Sequence, residues 1–273
     1  MTPRRGKTGT ARQLASPARE VAVRALERVE AAASFADIAL EHELAACPLS
    51  PRDAALAMEL VYGTLRWQRY LDWILAPHSR RRLEMLDARV RVILRMTAYQ
   101  IALLDRVPSF AAVNDAVTLA SRTPGVKPFV NAVLRSFARR SSREREPAAP
   151  RDPVDALATR CSFPTWLAAR WVARFGAEEA ETLMRASNER PPVTLRANTL
   201  RTSRDALSAR LASEENLAGR PTRHAPEGLV VGSGGPPASW RAFADGSFTV
   251  QDEASMLIAR RRRLTLAWRA PGE

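Results

Sequence analysis

Between Ser16 and Arg140 the apolar residues recur every three or four positions, the period of helices that each bury one face. Ser16 followed by Pro17 supplies a cap and a first-turn proline, and Val21, Ala25, Leu26 and Val29 mark one face of a first helix. Ile38, Leu40 and Leu44 predict a second helix. The string Ser50-Pro51-Arg52-Asp53 repeats the start signal ahead of Leu56, Leu60, Val61 and Leu65. Helical character continues from Trp67 to Leu75. Val90, Ile93, Leu94, Ile101 and Leu104 then form a long stripe, Val113, Val117 and Ala120 a shorter one, and Val130, Val133, Leu134 and Phe137 the last. Strand alternation is almost absent, so the region reads as an all-helical bundle of about seven helices. Gly63, inside a helical pattern, fits a close helix approach that leaves Arg66 on the solvated side.

From Arg139 to Pro153 the chain is charged, proline-bearing and without apolar period, which marks a linker. Beyond it, Trp166, Leu167, Trp171 and Phe175 fit a helix that Gly176 can end, and Ala180, Leu183 and Met184 fit the next. At Pro192 the period changes to two. Val193, Leu195 and Ala197 lie on one side of a strand, with Thr194, Arg196 and Asn198 on the other. Ser203 caps a helix carrying Leu207 and Leu211, and short strands follow within 228–232 and 248–250. The fold class is therefore mainly α, a helical bundle followed by a small α+β domain. The expected division is a disordered basic arm at 1–15, a helical domain at 16–140, a linker at 141–153, an α+β domain at 154–250 and the start of a further domain at 251–273.

Composition narrows the function classes. Lys+Arg total 42 against Asp+Glu 29, a net charge of +13, and nearly all the cations are arginine. GC-rich coding explains the choice of Arg over Lys but not the excess of positive charge. An anionic partner is implied, and nucleic acid suits guanidinium, which contacts phosphate through two N–H groups and stacks on bases. No apolar run is long enough to span a bilayer, and the basic N-terminus is not followed by a signal core, so a cytoplasmic location is expected. Cys47 and Cys161 are far apart with no Cys/His cluster, which supports neither disulfide nor zinc and reads as two packed thiols.

Seven residues are candidates for RNA contact. Arg66 is one of the weaker of them, since a lone arginine is more often simply a solvated charge. Arg135, Arg139 and Arg140 close a helix, where cations suit the dipole, and can continue into a phosphate-binding patch with the linker arginines. Arg196, Asn198 and Arg201 place donors on or just after one strand face. Asn114 and Asn131, read as lying near helix starts, suit capping better than base reading.

Several strings together carry a family resemblance. Leu60-Val61-Tyr62-Gly63-Thr64-Leu65-Arg66, Ala98-Tyr99-Gln100 with Val107-Pro108, Val113-Asn114-Asp115-Ala116-Val117 and Val130-Asn131-Ala132-Val133-Leu134-Arg135 resemble the NusB-like helical domain. Phe163-Pro164-Thr165-Trp166-Leu167, Phe175-Gly176, Asn188, Pro191-Pro192, Leu195-Arg196-Ala197-Asn198-Thr199 and Phe248-Thr249-Val250-Gln251-Asp252-Glu253-Ala254-Ser255 resemble the segment that follows it in the RsmB (Sun) group of small-subunit rRNA cytosine-5 methyltransferases. The resemblance implies RNA, in particular small-subunit rRNA, as partner, with a protein partner possible through the helical domain. It implies S-adenosylmethionine as cofactor of the full-length family and a cysteine nucleophile that adds to the base.

The family's DxCxAPGGK-type loop has no counterpart in this sequence. Gly232-Ser233-Gly234-Gly235 runs into Pro236-Pro237 instead of a helix start, and neither cysteine matches the catalytic motif. No catalytic or cofactor-binding residue, metal ligand or cofactor is expected within these residues. After Ala259 the resemblance gives way to Arg260-Arg261-Arg262-Arg263, as a shifted reading frame in GC-rich DNA or a genuine basic tail would produce. The expectation is an RNA-binding front part of a methyltransferase, truncated before the cofactor domain and inactive alone. The alternative is a stand-alone NusB-like adaptor in antitermination or ribosome assembly.

Overall fold

The computed structural model describes residues 15–258 except 33, 106, 141–144 and 233–236. The expected basic arm, part of the 139–153 linker, the Ser233–Gly235 stretch and the arginine-rich tail lie outside the described residues. By its contacts the chain divides into two compact units, residues 1–188 and 189–273.

The first unit is helical. Its elements are α1 (Pro17–Ala32), α2 (Ala36–Ala46), α3 (Pro51–Arg66), α4 (Gln68–Leu75), α5 (Ala88–Leu103), α6 (Ser109–Ala120), α7 (Lys127–Ala138), α8 (Pro153–Arg160), α9 (Thr165–Phe175) and α10 (Ala177–Asn188). The sequence signals act where expected. The Ser50 hydroxyl accepts from the Asp53 N–H ahead of Pro51, and Gly176 ends α9 at φ 83°, a conformation that an L side chain rarely adopts.

Helix α5 is the axis of the bundle and packs on α1, α3, α4, α6 and α7. It is buried almost all round from Val92 to Gln100, as a central helix must be. Its polar residues are therefore matched internally. Arg95 donates from Nε to Asp72 Oδ1 at 2.7 Å and from a terminal nitrogen to Glu30 Oε1 at 2.5 Å, while Gln100 accepts from Arg19 Nε at 2.7 Å. Tyr99 faces α3 at Gly63, where a Cβ would lie 2.1 Å from Tyr99 Cζ, so glycine sets how closely α3 and α5 approach.

Helices α8, α9 and α10 carry their own small core of Leu157, Ala158, Cys161, Ala168, Ala180 and Met184. Arg69 of α4 holds them. Its Nε donates to Thr159 Oγ1 at 3.2 Å, one terminal nitrogen to Phe163 O and Thr165 Oγ1 at 2.8 Å each, and the other to Asp155 Oδ1 at 2.7 Å.

The second unit is an antiparallel sheet with helices. Strands β1 (Val193–Ala197), β2 (Gly219–Pro221), β3 (Gly228–Val231) and β4 (Phe248–Val250) lie in the order β2-β3-β1-β4. β1 pairs Leu195 with Leu229 of β3 and with Val250 of β4. Helix α11 (Arg204–Glu214), capped by Ser203, lays Leu207 and Leu211 into a core with Leu195, Leu229, Val231, Trp240 and Phe248. A short α12 (Arg241–Ala244) follows Trp240. Among the described residues no helix is long and apolar enough to cross a membrane.

Candidate nucleic-acid interface

Helices α6 and α7 pack side by side and open a shallow cleft of about 490 Å³ lined by Ser109, Phe110, Val113, Asn114, Arg135, Ala138 and Arg139. Arg135 in the last turn of α7 and Arg139 at its C-cap are four residues apart, and both are exposed. Arg135 Nε donates to Asn131 Oδ1 at 2.9 Å, and Arg139 Nε donates to the Arg135 carbonyl at 3.2 Å. These bonds steady the guanidiniums near the end of α7, where the helix dipole favours cations. Phe110, in the first turn of α6, is 73% exposed beside them. A cleft lined by an exposed apolar ring and two guanidiniums is suited to take a flat aromatic ligand on the ring and anionic groups at the cations.

The other candidates of this unit lie elsewhere or differ in setting. Arg140 is exposed just after α7, and its charge reaches His78, whose imidazole is held below its ordinary value by burial first and then by Arg140 and Arg145. Arg66 ends α3 half-buried, and its guanidinium makes no hydrogen bond or ion pair with a described residue. Asn131 and Asn114 sit in the second turns of α7 and α6, not at their starts, and Asn131 serves to orient Arg135 instead of capping.

In the second unit the expected strand face is less open than the alternation suggests. Thr194 is buried and Arg196 half-buried, with Arg196 Nε 3.9 Å from the buried Glu227 carboxylate and a terminal nitrogen 3.4 Å from Gln251 Oε1. Asn198 lies past the strand. Its amide donates to Gly246 O at 2.9 Å and accepts from the Leu200 N–H at 3.2 Å. Arg201 donates to the Asp245 carbonyl. Asn198 and Arg201 thus meet at the 245–247 turn, while Arg196 stands apart on Glu227 and Gln251.

Sequence reasoning missed Phe110, because an isolated aromatic early in a helix carries no signal of exposure; only α6 packing on α7 brings it to the same cleft as Arg135. It also missed Glu253, which accepts from the His224 and Ala225 N–H groups and fixes that loop. These bonds hold the Glu253 carboxyl below the usual range. Among the described residues no group of three or more His, Cys, Asp or Glu could hold a metal. Cys161 is buried, and burial pushes its thiol up, the setting of a packing residue and not of a nucleophile.

Residues 16–139 match the NusB family, and residues 163–236 match the ferredoxin-like domain of RsmF/B-like methyltransferases. A Bacillus subtilis protein named "Probable ribosomal RNA small subunit methyltransferase B" is 34% identical over 248 residues, covering 89% of this chain and 54% of that protein. A Synechocystis protein of the same name is 33% identical over 246 residues, again 89% and 54%. The Pseudomonas putida "Ribosomal RNA small subunit methyltransferase B" is 34% identical over 210 residues, 76% of this chain and 46% of that protein. Among solved structures, the crystal structure of PH0851 superposes with a TM-score of 0.67 at 19% identity, covering 89% of this chain and 54% of that one, a likeness of fold. The chain spans about half the length of the curated relatives it matches. A NusB-family segment is thus followed by a segment matching the ferredoxin-like domain of RsmF/B-like methyltransferases, and over most of its length the chain is similar, at about 33% identity, to proteins named ribosomal RNA small subunit methyltransferase B.

Proposed function

We propose that these residues form the RNA-engaging part of a small-subunit rRNA cytosine-5 methyltransferase, with the α6–α7 cleft as a contact for unpaired RNA. The observation that carries the reading is the exposed Phe110 lining one cleft with the exposed Arg135 and Arg139. A ring with no polar group binds a base by stacking, tolerant of its identity, and guanidiniums at its margin neutralise the flanking phosphates. The net charge of +13 supplies the long-range attraction that brings a polyanion to the surface. Arg140 and Arg66 extend the positive surface of this unit in our reading. Arg196, Asn198 and Arg201, with much of their bonding used inside their own unit, act more by shaping the 198–202 and 245–247 turns.

Methyl transfer is the activity that the relatives' names suggest for the whole protein, and S-adenosylmethionine is the donor that the family resemblance implies for it. The described residues do not fit that cofactor. Their sheet is antiparallel in every described pairing, unlike the parallel sheets whose strand-to-helix glycine loops cradle an adenosyl group in α/β folds. The RsmF/B-like segment after the NusB segment favours this reading over a stand-alone adaptor.

Fluorescence anisotropy with a labelled single-stranded fragment of small-subunit rRNA tests the proposal. Replacing Phe110 with Ala and Arg135 and Arg139 with Gln should weaken binding by on the order of tenfold or more, from loss of one stacked base and two phosphate contacts. Unchanged affinity in that triple variant, with the helical circular dichroism intact, would rule out the cleft as the contact.

A further inference from the structure

We propose that α9 carries a second, separate contact for single-stranded RNA, with Trp166 as a base-stacking platform and Arg170 and Arg174 as its phosphate contacts. The inference rests on the RNA-engaging reading above and extends it to a helix outside the NusB-matching segment.

The apolar spacing of α9 reads as a buried stripe, yet the structure turns Trp166 and Phe175 outward, 65% and 47% exposed. Burial falls instead on Ala168, with Trp171 and Val172 partly covered and Trp171 resting on Phe163 at 5.3 Å between ring centres. A protein has reason to avoid an indole in water, so a tryptophan left on the surface invites a planar ligand.

Its neighbours state which ligand. Residues 166, 170 and 174 are successive one-turn neighbours on one face of α9, separated along the axis by about 6 Å per step. Arg170 and Arg174 are exposed, and neither makes an ion pair with a described residue. The Arg174 guanidinium lies over the Phe175 ring at 5.5 Å, which holds it at the surface without neutralising it. Acidic residues of the adjoining α10 are otherwise placed: Glu181 is tied to Arg185 at 2.6 Å, and Glu178 and Glu179 occupy the first turn, where the helix dipole favours them. The face thus offers an indole and two unpaired cations in line, which suits an unstacked base and its following phosphates. A duplex would keep its bases inside the stack and out of reach of the ring.

The test uses the purified chain with a labelled oligouridylate and a labelled duplex of the same length, titrated over a salt series. Trp166→Ala should weaken oligouridylate binding by on the order of tenfold, and Trp166→Phe should restore most of it. Arg170→Gln with Arg174→Gln should reduce the slope of log affinity against log salt by about 1.4, two single-strand phosphates. Duplex binding should respond little to Trp166→Ala. Matching thermal melts of variants and parent show that the fold survives. A parent that binds RNA equally well after all three changes overturns this inference alone and leaves the α6–α7 cleft standing. A parent that binds no RNA overturns both. Sedimentation in which the parent self-associates and Trp166→Ala becomes monomeric would assign the face to a second copy of the chain instead.

Discussion

Replacing Gly63 with Ala sets two opposed effects against each other, and the structure says which wins. Within the last turn of α3 an alanine should stabilise by up to about 1 kcal/mol, because glycine is the poorer helix former. The new methyl, however, would sit 2.1 Å from Tyr99 Cζ, 2.3 Å from its Oη and 2.4 Å from Cε1. Tyr99 has little room to yield. It is 4% exposed in the middle of α5, its ring is rigid, and its hydroxyl donates to Glu59 at 2.5 Å. Overpacking of this kind costs about 1–3 kcal/mol, and an approach this close belongs at or above the upper end. A net loss of about 2 kcal/mol follows, which should lower the melting temperature by roughly 4–8 °C for a unit of this size. Urea denaturation followed by far-UV circular dichroism reads it directly. A Gly63→Ala chain as stable as the parent, or more stable, would refute the idea that glycine sets the α3–α5 distance.

Arg69→Ala removes four hydrogen bonds that tie α4 to α8 and α9. With the pair to Asp155 partly solvent-screened, the loss should be about 2–3 kcal/mol, seen as faster amide exchange confined to residues 153–188; uniform acceleration through α1–α7 would contradict a local clamp. In the second unit, Glu253 has its carboxyl depressed by the His224 and Ala225 N–H groups. Its contribution is therefore present above the ordinary glutamate value near 4.3 and lost as pH falls through a lower folded value. The two amide-proton shifts should titrate with that lower midpoint by NMR and cease to do so in Glu253→Gln; a midpoint above 4.3 would be inconsistent. Cys161, buried and with its thiol pushed up, should resist a thiol reagent at neutral pH while the half-buried Cys47 reacts first. Equal rates would show that α8–α10 open freely.

The sequence made the helices legible wherever a local signal starts or stops them. Pro17, the Ser50 cap and Gly176 act through their own backbone, so neighbouring residues suffice to read them. Burial around α5 was harder to see, because Arg95 reads as a solvated charge until Asp72 and Glu30, distant in sequence, arrive beside it. Strand β2 went unread for a similar reason. Gly219-Arg220-Pro221 has no strand propensity and is extended because β3 pairs with it. In the candidate site, Arg135 and Arg139 were legible as a one-turn pair at a helix end. Phe110 was not, since its place depends on which face α6 gives to α7. Trp166 and Phe175 show the limit of periodicity: both fit a helical apolar pattern, while packing through Ala168, Trp171 and Val172 leaves each of them outside the core.

If the chain engages RNA through cationic side chains at phosphates, its affinity for an unpaired small-subunit rRNA fragment must respond to salt. Titration across a salt series should show log affinity falling linearly with log salt, by about 0.7 for each single-strand phosphate contacted, so that two contacts at the α6–α7 cleft alone give a slope near 1.4. An affinity that does not change with salt, or no binding at low salt, would mean that phosphate contacts do not hold the RNA.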